Sequence, residues 1–207
     1  MEGHTSGKRR EQAAETKRKL RAAALKLFAN KGYHGTPVRA INRSIGMADG
    51  LLYHYFPGGK KEILRVIVHE NVEQMMESLS GRNIGLEELP IEMMLERRFQ
   101  NIVDVFMDHQ DILKILIRES DLIEIVELNH LISTARKEQS RLPEILAVRA
   151  KAGEIRKMDY DSAAEVLMAV MMNHLLLKLT GISPGQLNDP VQRSALIRYQ
   201  VALWKRT

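Results

Sequence analysis

Apolar residues recur at three- and four-residue spacing through most of this chain, and no run alternates as a half-buried strand requires. Leu20, Ala23, Ala24, Leu27 and Phe28 mark a first helix from about Glu11 to Asn30, closed by Lys31-Gly32 with the glycine as a left-handed cap. Thr36 reads as an N-cap and Pro37 as the first helical residue, where its missing N–H is no loss. The second helix then covers about 37–44, with Val38, Ile41 and Ile45 facing inward. Gly46 makes a turn. A third helix of about 48–55 buries Leu52 and Phe56 before Pro57-Gly58-Gly59 stops it. A fourth starts near Lys60 and runs through Ile63, Leu64, Ile67 and Val68 to about Ser78.

Ser80–Leu89 is rich in glycine and polar residues and separates this fourth helix from the rest. Beyond it, helical segments of about 90–108, 110–118, 121–139, 142–152, 160–180 and 189–204 are divided by turn signals. Ser162-Ala-Ala-Glu165 reads as a capping box, Gly181-Ile-Ser-Pro-Gly185 as a stop, and Asp189-Pro190 as the opening of the last helix. The pattern predicts an all-α chain: an arm at 1–9 without order, a small three-helix domain over 10–59, and a linker helix plus larger helical domain over 60–207.

The 207 residues, 44% apolar, suffice for one large domain or for a small domain joined to a medium one. There is no cysteine, which excludes disulfides, thiolate nucleophiles and cysteine-bound zinc. Eleven methionines fit either an adaptable pocket or ordinary core filling. The apolar stretch Val166–Leu179 is broken by Asn173, His174 and Lys178 and falls short of the roughly 20 residues of a membrane span. The N-terminus is charged from Lys8 onward, unlike a signal peptide. A soluble, cytoplasmic protein without metal or cofactor is expected.

Charge is spread unevenly. Residues 1–65 carry 14 Lys/Arg against 5 Asp/Glu, a balance of +9, while 66–207 carry 17 against 21. A basic segment joined to an acidic remainder is the footprint of a polyanion-binding module, though Lys8–Arg21 alone reads equally well as a solvated helix face. Residues 36–56 then hold a helix start, a short helix, a glycine turn and a second helix with an aromatic tail. That is the layout of a helix-turn-helix, whose second helix enters the DNA major groove.

Lys31-Gly32-Tyr33, Thr36-Pro-Val-Arg-Ala-Ile, Gly46 and Gly50-Leu-Leu-Tyr-His-Tyr-Phe-Pro together resemble the N-terminal domain of the tetracycline-repressor (TetR) family over about residues 16–65. The resemblance implies three N-terminal helices, a linker helix and a C-terminal ligand and dimerisation domain, and in most members a repressor released from DNA by a small molecule. It places Arg39 where a base edge is read, Asp49, Gly50, Leu51 and His54 on the exposed face of the recognition helix, and Tyr53 and Tyr55 against backbone or bases. Thr36 falls at a helix N-terminus suited to a phosphate, and Lys60 where a lysine touches phosphate. Three positions depart from the family. Ala48 stands where a serine cap is common, so Asp49 is the candidate cap; Asn42 replaces a small alanine; Gly58-Gly59 inserts a residue before Lys60.

Two recognition helices must lie roughly 34–36 Å apart to reach successive major grooves, which favours a two-fold homodimer on a palindromic double-stranded DNA operator. The last two long helices, about 160–180 and 189–204, are the expected pairing surface, a four-helix bundle across two chains, with Met168, Val170, Met171, Leu175 and Leu179 offering the apolar face. Asp104, His109, His130, Asn173 and His174 are the polar positions within apolar helices, hence the candidates for an effector contact. The chain lacks a Gly-rich phosphate loop, a His-Glu-x-x-His pair and a Gly-x-Ser-x-Gly elbow, so an enzyme is disfavoured. An interaction protein that has lost DNA binding stays open, because Asp49 and Asn42 alter the recognition region.

Overall fold

The computed structural model describes residues 3–121, 141–183 and 185–205, and among them there are helices and turns but no strand. The expected helix over about 121–139 and the candidate His130 lie outside the described residues. Helix α1 spans Gly3–Lys31, α2 Val38–Ser44, α3 Leu51–Tyr55, α4 Gly59–Arg82, α5 Ile91–Asp108 and α6 Gln110–Arg118. Residues 141–151 are helical (α7), followed by α8 at Tyr160–Thr180 and α9 at Pro190–Lys205. Short 3₁₀ turns sit at Leu86–Glu88 and Gly185–Asn188. Two compact units result: residues 3–73 with 111–121, and residues 74–110, 141–183 and 185–205.

In the first unit α1 begins at Gly3, so residues 3–9 are helical, not the unordered arm expected. Lys8–Ala14 contains no helix breaker, and the lone Gly7 costs only about 1 kcal/mol in a helix interior. Burial starts at Leu20 and continues with Ala24 and Phe28, the face that the periodicity marked. Ile41, Leu52, Phe56, Ile63 and Ile67 are buried as well. Removing each such side chain from water is worth about 1.5–3 kcal/mol, enough to seat helices as short as α2 and α3, which could not stand alone. This unit takes in residues 111–121, far beyond the sequence boundary near residue 59.

The second unit centres on a cluster that includes Met94, Leu95, Leu146, Ile155, Val201 and Trp204. The α8 helix opens on Asp159, whose carboxylate accepts from the Ser162 N–H at 3.0 Å and the Ser162 hydroxyl at 2.7 Å. The cap is therefore Asp159 rather than the expected Ser162 box, and these two donors hold the Asp159 pKa below its ordinary value. By length and composition alone, the whole α8 helix is also long and apolar enough to cross a bilayer, a test that the core helix of a soluble protein passes as well. Of its expected pairing face, Met171 and Leu175 are buried within their own unit and Met168, Val170 and Leu179 are half-buried, whereas Val166, Met172 and Leu176 stand 54%, 45% and 50% exposed. A helix apolar on every side gives periodicity nothing with which to choose a face.

Candidate nucleic-acid interface

The first unit holds one short helix outward. After α2 the chain turns through Ile45 and Gly46 and re-enters a helix only at Leu51, so α3 is shorter than the expected 48–55. Its N-cap is Gly50, at φ 101°, a left-handed conformation that would strain any residue with a Cβ. The expected cap, Asp49, makes no cap bond; its carboxylate lies 3.4 Å from the exposed Arg43 guanidinium, a pairing worth little in solvent.

The capping bond comes from α2. Asn42 is fully buried, and its Oδ1 accepts the Leu52 N–H at 3.1 Å, satisfying a first-turn donor of α3. Its Nδ2 has no partner. Buried Leu52 and Phe56 fix the inner face of α3, and the Lys17 ammonium sits 5.2 Å from the Phe56 ring centroid. The outer face carries Tyr53, which is 53% exposed, and an exposed His54 whose ring meets that of Tyr55 edge-on at 4.9 Å. Tyr55 and Leu51 are half-buried. Arg39, on the second residue of α2, is exposed and has no ion pair among the described residues.

Tyr53 is held by its neighbour as well as by its helix. A Cβ on Gly59 would fall 2.9 Å from Tyr53 Cε1, and Gly59 has φ 65°. The extra residue ahead of Lys60 thus seats the aromatic ring across the start of α4.

Two expected phosphate ligands make hydrogen bonds within the protein. Thr36 is buried. Its hydroxyl donates to the carbonyls of Gly32 at 2.8 Å and Leu27 at 3.2 Å, and its N–H to Tyr33 O at 3.2 Å. The N-cap of α2 is instead Pro37, with φ −70° and ψ 148° and no side-chain cap. The free carbonyls at the end of α1 capture the hydroxyl that the sequence pattern assigned to the next helix. Lys60 Nζ donates to Tyr33 O at 2.8 Å and lies 4.1 Å from the Tyr33 ring centroid. Burial lowers the Lys60 pKa, partly offset by the nearby Glu119.

Sequence reasoning missed Glu119. This buried carboxylate at the end of α6 accepts the Tyr33 N–H at 2.9 Å, and the preceding Arg118 donates to Ala29 O at 3.2 Å. The two side chains bracket the end of α1. No local pattern announces a contact made across 86 residues.

The effector candidates fall in the second unit and scatter. His109 caps the end of α5, and Asn173 is exposed on α8. Asp104 Oδ1 accepts from Gln100 Nε2 at 2.6 Å. His174 is buried, 1% exposed, and neither ring nitrogen has a partner.

A small buried scaffold with one short helix turned to solvent, and a side chain of the preceding helix fastening it, defines a helix-turn-helix head. Residues 20–67 match the family described as "Bacterial regulatory proteins, tetR family". The chain is similar to the HTH-type transcriptional regulator LmrA of Bacillus subtilis, 33% identical over 32% of this chain and 35% of LmrA. It is also similar to the HTH-type transcriptional repressor NicS of Pseudomonas putida, 27% identical over 58% of this chain and 55% of NicS. The matched segments thus span about a third of one relative and about half of the other. A TetR-family regulatory protein of Rhodococcus RHA1 shares the fold, with TM-score 0.67 and 19% identity over 92% of this chain and 97% of that one. Residues 20–67 thus carry the N-terminal domain of the tetR family of bacterial regulatory proteins, and the chain shares the fold of the Rhodococcus protein. These matches are to regulators and not to enzymes, as the missing catalytic motifs led one to expect.

Proposed function

We propose that this protein is a transcriptional repressor that binds a palindromic operator as a homodimer and is released by a small apolar or amphipathic effector. The observation that carries the reading is α3: Tyr53 and His54 are exposed on it and Arg39 is exposed on α2, in a segment with a balance of +9 over residues 1–65. Arginine can take guanine O6 and N7 together, and the surrounding charge supplies the salt-dependent part of affinity. The role of NicS as a transcriptional repressor supports the sign of regulation.

Dimerisation rests on the exposed apolar side chains of α8 and α9: Val166, Met172, Leu176, Leu196 and Tyr199. A soluble chain seldom leaves so many large apolar groups on neighbouring helical segments without covering them. A second copy covering this face would give the two heads their half-site spacing.

The test is fluorescence anisotropy on the DNA upstream of the protein's own gene, with light scattering alongside. Saturable binding that weakens steeply with salt, a two-fold symmetric footprint and twice the chain mass are expected. Equal affinity for unrelated duplexes, or a monomer at micromolar concentration, overturns the reading.

A further inference from the structure

His174 sits on α8 with its ring 5.4 Å from that of Phe99 on α5. Both of its nitrogens are enclosed and unpartnered, an unfavourable condition for a buried polar group. On the same Phe99 ring lies the Arg193 guanidinium of α9, 5.3 Å from the centroid. Arg193 donates to Gln100 Oε1 at 2.6 Å, and to Leu187 O at 3.4 Å. Gln100 in turn holds Asp104. Lys178, one turn along α8 from His174, has no carboxylate partner among the described residues, and neither has Arg193.

Two cations with no ion pair among the described residues thus stand near a buried imidazole whose hydrogen-bonding capacity is unused. Burial first, and the charges of Lys178 and Arg193 next, lower the His174 pKa. The ring is therefore neutral at pH 7 and offers one donor and one acceptor. Gln100, Asp104, Lys178 and Arg193 are only half-buried, so this polar seam reaches solvent, while Phe99, Met171 and Leu175 are buried apolar neighbours in the same helices. Two nearby carboxylates are already engaged, Asp104 by Gln100 and Asp189, one turn before Arg193, by the Val191 N–H.

We infer that the seam between α5, α8 and α9 binds the carboxylate head of an amphipathic organic acid, with Arg193 and Lys178 supplying the charge and His174 a hydrogen bond. A neutral polar head would leave both cations unanswered, and a cationic one would be repelled. This rests on the effector reading above and names the chemical class of that effector.

Isothermal titration calorimetry with straight-chain carboxylates of four to twelve carbons tests the inference, using the matching alcohols and trimethylammonium compounds as controls. At least one carboxylate binds tenfold or more tightly than its alcohol and its ammonium analogue. Arg193→Gln and His174→Phe each remove that preference, Arg193→Lys keeps part of it, and circular dichroism confirms that every variant folds. In protein labelled with 15N-histidine the His174 ring signals move on addition of that acid. The inference is overturned if no chain length shows the preference, or if both loss variants retain it. Should the acid bind as described yet leave operator occupancy unchanged, the carboxylate site stands and the effector reading falls.

Discussion

Asn42 and Leu52, ten residues apart on either side of the helix-turn-helix turn, are joined by a 3.1 Å hydrogen bond from the Leu52 amide to Asn42 Oδ1. Leu52 is the second residue of α3, the position whose N–H an N-cap side chain would ordinarily serve. Gly50 has no side chain to offer and Asp49 has turned to Arg43, so the preceding helix caps the recognition helix through the core. The orientation of α3 is thereby tied to α2, which bears Arg39.

Asn42→Ala removes that acceptor and leaves a void between the two helices. Its expected cost is about 1–3 kcal/mol of stability, from a buried amide left without a partner. Specific DNA affinity falls with it, while the slope of binding against salt stays as it was, since no phosphate contact is lost. Asn42→Asp keeps an oxygen at the same place but buries a charge, and should cost more at pH 7 than at pH 4. Urea unfolding with binding titrations checks both, and an Asn42→Ala protein as stable as the original would remove the cap from the account.

Gly59→Ala meets two penalties: a φ of 65° and a Cβ placed 2.9 Å from Tyr53 Cε1. A loss of about 1–3 kcal/mol is expected from the strained backbone together with displacement of the ring. Pairing it with Tyr53→Ala separates the terms. The double variant should recover the steric part and retain the conformational part, so the two changes are non-additive in thermal melts. Strict additivity would mean that the ring does not rest on Gly59 in solution.

How far the sequence could be read depended on whether the forces were local. The α5, α6 and α8 boundaries fall within a residue of those that the periodicity marks, because apolar spacing and glycine stops act over one or two turns. The start of α3 was misplaced, since the left-handed Gly50 holds the chain out of the helix until Leu51. Thr36 misled for a related reason: a hydroxyl can close the helix before it as readily as cap the one after. Asn42 was visible only as a departure from the family, and Glu119 not at all, because each acts on a backbone amide distant in the chain. The exposed face of α8 was hidden by a helix apolar all round.

Arg39→Ala should weaken specific binding by about 1–3 kcal/mol and relax preference at one base pair of each half-site. Replacing Lys8, Arg9 and Arg10 with glutamine is a contrasting experiment. These residues lie on the exposed helical start of α1. If they meet phosphate, their loss lowers the slope of log affinity against log salt by up to about 0.9 per charge without changing sequence preference. A variant whose slope is unchanged assigns the stretch to solvent.

His174 makes the stability of the second unit depend on pH with a definite sign. Its folded pKa lies below the ordinary histidine value, chiefly through burial and then through Lys178 and Arg193. The unfolded chain therefore takes up the proton first as pH falls through about 6.5, and the native state loses stability relative to it. That loss continues until pH reaches the depressed folded value, below which both states carry the proton and the contribution is flat. Thermal melts between pH 8 and 5 should show the midpoint dropping on the acid side. In His174→Phe, which keeps a ring against Phe99 but cannot be protonated, that part of the decline should vanish. A decline of the same depth in the variant would trace the pH dependence to other groups, and His174 would then be protonated equally in both states.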